Sequence, residues 1–345
     1  MNNKKNSLDY VALFKFLATA FFVFHFVFIT FENALMLNSK SMMLSIIVLF
    51  LISIIGLIKE FGDVQRHNQK VARQYSILEK IEIISTFAAA SFLTYIIQTV
   101  FNQNSIFAAS AVSLLMVYLI PHTFKIFEIT VYTGTITGMA EAEFIHNWPL
   151  ALAFAFLSGL FYLIFQPSFR ATGGRAGLMA YISSMLFLYL FLDWEPGIGA
   201  QINPDMLFLT LLLIFAGAFA TYFLQKNNVL SVVKSAMIVT LFFDLIFPES
   251  LHLYAVAAFL VTIVAMTTPS KLKNLPFLTL IAFIAFLFFV YSFPLLAGTT
   301  GKLGLVALTA FLSADGISIL VELLKQKTSA EVFKNISFDI SIEED

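Results

Sequence analysis

Two stretches decide the fold: Thr172-Gly173-Gly174-Arg175-Ala176-Gly177-Leu178-Met179-Ala180, and Thr299-Thr300-Gly301-Lys302-Leu303-Gly304-Leu305-Val306-Ala307. They stand 127 residues apart, with Arg175 opposite Lys302. The same offset brings Pro121 onto Pro248, Pro149 onto Pro276, Pro167 onto Pro294, Met139 onto Met266 and Asn147 onto Asn274. Over 121–180 against 248–307, 16 of 60 positions are identical without a gap. Apolar bias makes some chance matches. It does not align three of nine prolines together with a polar loop, so the chain reads as internally duplicated.

The composition says where such a chain lives. Hydrophobic residues make up 59% and charged residues 12%, with 41 phenylalanines in 345 residues. Soluble domains carry about 25% charge and cannot hide this much apolar surface. Cysteine is absent, which removes disulfides, cysteine–metal sites and thiol chemistry. A net charge of −1 gives no basic surface for nucleic acid. The polar start and the long apolar run Val11–Phe31 read as a first spanning helix, not a cleaved signal.

A spanning helix needs about 20 mostly apolar residues. Twelve segments qualify: 10–31, 42–58, 81–101, 106–120, 123–139, 149–167, 176–193, 206–224, 229–247, 250–266, 276–296 and 303–323. The weakest is 123–139, which carries Lys125 and Glu128 and reads as either spanning or re-entrant. Basic residues prefer cytoplasmic loops. With all twelve spanning and the N-terminus inside, 16 of the 20 Lys and Arg fall inside and only Lys40 and Lys302 outside. Making 123–139 and 250–266 re-entrant moves Arg170, Arg175 and Lys226 outside, so the twelve-span arrangement is favoured. Both termini are then cytoplasmic.

The expected architecture is an all-α integral membrane protein. Residues 1–58 form an accessory hairpin and 59–80 a charged connector. Five segments fall in 81–205 and five in 206–323, followed by a polar, acidic tail at 324–345. Five is odd, so the second copy enters the bilayer from the opposite face and the repeats are inverted. Inverted repeats give two nearly equivalent arrangements, one open to each side, which is the basis of alternating access. The expected function is a secondary transporter or channel for a small solute in a bacterial inner membrane. Its partners would be the bilayer, the solute and a coupling proton or Na+. An enzyme acting on a lipid-linked substrate and a non-transporting scaffold stay open as alternatives. Asp193, Trp194 and Glu195 are the only hint of the former.

Three groups are candidate functional residues. The matched junctions Gly173-Gly174-Arg175 and Thr299-Thr300-Gly301-Lys302 each join glycine and a base to a helix start, where backbone N–H groups and the helix dipole favour an anion or carboxylate. The plain alternative is a hairpin turn. The second group, Thr137, Gly138, Met139 and Met266, ends the third segment of each repeat and reads as an interrupted helix or as close packing. The third is Asp315, costly inside a bilayer unless paired or protonated. Lys234 is its expected partner, with Ser313 and Ser318 as the alternative, and Glu128 is expected to pair with Lys125. The acidic groups Glu141, Glu143, His146 and Asp244, Glu249, His252 read as solvated rims. The five histidines show no metal-binding spacing, and no P-loop or nucleophile elbow occurs, so no cofactor is expected.

Overall fold

The computed structural model describes residues 10–36, 39–70, 75–120, 126–140, 145, 147–165, 169, 172–191, 197–198, 201–226, 229–247, 251–297 and 300–325. Within them the chain is helical: α1 (Tyr10–Met36), α2 (Lys40–Lys70), α3 (Ile77–Val100), α4 (Ser105–Leu119), α5 (Phe127–Thr137), α6 (Trp148–Phe165), α7 (Arg175–Phe191), α8 (Leu207–Lys226), α9 (Val232–Ile246), α10 (His252–Ala265), the single turn α11 (Pro269–Leu272), α12 (Leu275–Ser292) and α13 (Lys302–Lys325). A short antiparallel pairing joins β1 (Gly197–Ile198) to β2 (Leu295–Ala297).

Side-chain capping sets several helix starts, and the caps repeat. Asn147 Oδ1 accepts from Leu150 N–H at the start of α6, and Asn274 Oδ1 accepts from Phe277 N–H at the start of α12, both at 2.9 Å. Pro149 and Pro276 take the second helical position, where the missing N–H costs nothing. Asn104 caps α4 and its counterpart Ser231 caps α9. Shifting α4 and α6 by 127 residues reproduces the bounds of α9 and α12. The neighbours repeat as well. α3 packs on α5 and α6 as α8 packs on α10 and α12, and α6 meets α7 as α12 meets α13. A buried hydroxyl pair ties Ser113 to Thr135 at 2.7 Å, and the equivalent Thr240 and Thr262 pair at 3.0 Å.

Seven of the described helices are long and apolar enough to cross a membrane: α1, α2, α3, α6, α8 with its lead-in turn, α12 and α13. Large apolar side chains cover the outside, among them Phe14, Phe21, Phe28, Leu44, Phe208 and Phe242, as lipid contact requires. Two of the remaining segments are clearly shorter than the sequence suggests. The expected 123–139 condenses to the 11 residues of α5 and 250–266 to the 14 of α10. At 1.5 Å per residue α5 is about 16 Å long, half of a bilayer core. It sits deep in the core, with nine of its residues buried.

The hairpin of α1 and α2 is packed onto the repeats. α2 crosses α13 where a methyl on Gly56 would overlap the Leu312 carbonyl and one on Gly316 the Ile52 carbonyl. Ser313 Oγ adds a hydrogen bond to the Leu49 carbonyl at 3.3 Å. Small residues permit this approach, and the bilayer offers no hydrophobic drive to replace it.

Candidate functional site

The two glycine-basic junctions meet. Gly174, at φ +88°, lies so close to α13 that a side chain there would overlap the Gly304 carbonyl and the Leu308 nitrogen. Gly301, at φ +77°, lies against α7 in the same way, over the Gly177 carbonyl and the Tyr181 nitrogen. Replacing every residue by its counterpart 127 positions away turns one contact into the other. The start of each helix therefore rests on the first turns of its counterpart, and the contact is self-complementary, as contacts across a two-fold axis are. Both glycines sit in the left-handed region, where a Cβ is disfavoured.

The cations at these junctions differ. Lys302 Nζ donates to the carbonyls of Phe293 and Leu295, at 2.9 and 2.7 Å, and lies 5.7 Å from the Phe293 ring centroid. It braces the loop leading into its own helix. Arg175 opens α7 and is partly buried. Thr300 is buried with its hydroxyl unpartnered, while its carbonyl faces Ser184 Oγ at 3.4 Å. Thr299 lies outside the described residues.

The first junction also touches the second candidate group. Gly173 N–H donates to Thr267 Oγ1 at 2.8 Å, and Gly173 lies against the Ile263 and Val264 carbonyls. That is the C-terminal end of α10, where Met266 N–H closes the last turn on Thr262 and Ile263. At the end of α5, Thr137 Oγ1 donates to the Thr133 carbonyl, Met139 packs on the core, and Gly138 lies under Ser91 and Thr94. A helix start from one repeat thus meets a helix end from the other.

Asp315 is not paired with Lys234. Both its oxygens accept from Lys59 Nζ at 2.8 Å, and Lys273 Nζ stands 3.4 Å away. Glu60, also buried, binds Lys271 at 2.6 Å. Neither serine holds the carboxylate: Ser313 bonds to Leu49 and Thr309, and Ser318 accepts from Lys273. Lys234 instead meets Glu128 at 3.7 Å and lies 4.7 Å from the Tyr118 ring centroid. Asp244 accepts from Asn104 at 3.2 Å. Lys125, Glu141, Glu143, His146, Asp193, Trp194, Glu195 and Glu249 lie outside the described residues.

The comparison at offset 127 extends further back than the block that reveals it. Phe92-x-Thr94-Tyr95-x-x-Gln98 on α3 recurs as Phe219-x-Thr221-Tyr222-x-x-Gln225 on α8. In the first copy Gln98 Nε2 donates to the Gly138 carbonyl at 2.7 Å, and Thr94 Oγ1 to Ala90. In the second copy Thr221 Oγ1 and both amide atoms of Gln225 are buried without partners. The signal was present in the sequence, carried by polar residues in otherwise apolar helices.

No protein-family model, no curated protein and no solved structure matches the chain.

Proposed function

We propose that the chain is a secondary transporter or channel for a small solute, built from twelve spanning segments as a hairpin plus an inverted five-plus-five core. The supporting observation is the reciprocal contact of Gly174 with Gly304 and Leu308, and of Gly301 with Gly177 and Tyr181. Going forward along one helix goes backward along the other, so counterpart helices run oppositely. A two-fold axis relating oppositely running helices lies across them, in the plane of the membrane they span. Parallel repeats would place it along them.

The same contact supports a solute site. In this reading the two junctions enter from opposite faces and reach one depth, where two helix N-termini and two basic residues converge. Such broken segments bind anionic groups in carriers of this architecture, and an anion or carboxylate is the preferred class. The cluster of Lys59, Lys271 and Lys273 around Glu60 and Asp315 supports a common cytoplasmic side for those segments. Both termini are then cytoplasmic, in a bacterial inner membrane.

The test uses the cysteine-free background. Asn102 and Val229 are exposed counterparts in the loops after α3 and α8. With Asn102→Cys reachable by an impermeant thiol reagent only from outside and Val229→Cys only from inside, the repeats are inverted, and flux assays with small carboxylates follow. Labelling of both from one side overturns the arrangement and the transport reading built on it.

A further inference from the structure

The asymmetry between Gln98 and Gln225 points to a ligand. Thr221 and Gln225 stand four residues apart on one face of α8, so their side chains are neighbours. Gly217, one turn earlier on that face, packs against Ala258 and Val261 of α10. In the first copy α3 and α5 run side by side in one direction, Gly134 lying on Phe87 and Gly138 on Ser91, and the 127-residue offset carries that arrangement over to set Thr221 and Gln225 toward the C-terminal end of α10. In the first repeat Gln98 holds the matching place, and its amide closes on the Gly138 carbonyl at the end of α5. That approach needs glycine, since a methyl on Gly138 would overlap the Ser91 carbonyl. The counterpart of Gly138 is Ala265, which carries the methyl that Gly138 lacks. The Ala265 carbonyl is the last of α10 and, like every helix-terminal carbonyl, has no donor within its own helix.

The result is a buried hydroxyl and a buried amide, unpartnered, beside the end of a helix whose dipole is negative there. Leaving such groups unmet is costly, and each one asks for an explanation. Their oxygens are neutral, and the adjacent charge, Lys226, is exposed and directed to the Tyr222 ring. Neutral side-chain oxygens with helix-end carbonyls suit a monovalent cation better than a divalent one, which draws carboxylates.

We propose that Thr221 Oγ1, Gln225 Oε1 and the terminal carbonyls of α10 form a sodium site. This rests on the transport reading and names its coupling ion. Fixing Oε1 on the ion leaves Nε2 to donate to another terminal carbonyl of α10. The end of α10 also carries Thr267, which holds the Gly173 N–H, so sodium orders the backbone beside Arg175. Ion and solute are thereby coupled through one helix end.

The experiment is thermal unfolding of the purified full-length chain in sodium chloride and in choline chloride at equal ionic strength. Sodium is expected to raise the Tm saturably, by about 2–4 °C. Thr221→Val and Gln225→Leu are expected to abolish the shift while unfolding in choline at or above the wild-type temperature, because each removes an unmet polar group. Gln98→Leu should keep the sodium shift. Should Gln225→Leu fail to fold, radioactive sodium binding to wild type and Thr221→Val gives the same comparison. Equal unfolding in both salts, or a sodium shift that survives both substitutions, overturns the site. The cysteine-labelling result is independent: inverted repeats without a sodium effect lose only this site, and parallel repeats with one lose only the carrier.

Discussion

Gly177 and Gly304 face each other at the crossing of α7 and α13, so closely that a methyl on either would overlap the Cα of the other. They are counterparts at the 127-residue offset, and each serves as the other's packing surface. The contact is an internal version of the isologous interface of a symmetric dimer.

Substitution there is predicted to act equally in both repeats. Gly177→Ala and Gly304→Ala each overpack the crossing and are expected to cost about 1–3 kcal/mol. The check is the unfolding temperature and size-exclusion profile of the purified variants. At Gly159 a methyl would stand 3.3 Å from the Ile84 carbonyl oxygen, tight but not overlapping, so Gly159→Ala should cost less than either substitution at the crossing.

Asp315→Asn is predicted to destabilise more than Lys59→Met. The carboxylate is buried at 8% side-chain exposure and serves two lysines, while Lys59 is 40% exposed and can turn to water. Loss of the charged acceptor is expected to cost about 1–3 kcal/mol, and loss of the exposed lysine about 1 kcal/mol or less. Unfolding of both variants, read beside Lys273→Met, gives the order.

The Lys234–Glu128 pair is predicted to be weak. At 3.7 Å, with both side chains nearly a quarter exposed, a double-mutant cycle of Lys234→Met and Glu128→Gln should give a coupling of about 0.2–1 kcal/mol. A larger coupling would show a stronger tie between α5 and α9 than its length implies.

Asn147→Ala and Asn274→Ala are predicted to have matching effects, each near 1 kcal/mol, because each removes one N-cap acceptor from an equivalent helix. Serine at either position should recover most of the loss.

The recurrence at 127 residues was legible because its marks do backbone work. Asn147 and Asn274 cap helices, Pro149 and Pro276 start them, and Gly174 and Gly301 adopt backbone angles that other residues resist. Such tasks restrict residue type, so they survive in a sequence of interchangeable apolar side chains. The pairing of Asp315 was not legible. It lies thirteen residues into α13, which one dimension reads as the middle of a span. Since α13 begins at its contact with α7, thirteen residues carry Asp315 about 20 Å away, to Lys59 on α2 and Lys273 just after α11, whose long stems reach it. The meeting of the two junctions was illegible for a related reason: hydropathy gives the order of segments but not the depth at which each helix starts.

The union of α2 with α13 bears on how the protein is made. α2 leaves the ribosome well before α13, with ten helices between them in the described order. At about 5–20 residues per second, Gly56 and the charges of Lys59 and Glu60 wait on the order of tens of seconds for their partners. During that interval the early hairpin is a half-built surface in the bilayer, held in place by nothing it will finally bind. Glu60 meets Lys271 when α11 emerges, and Lys59 meets Asp315 only when α13 follows, so the charged rim of the hairpin is completed in two steps.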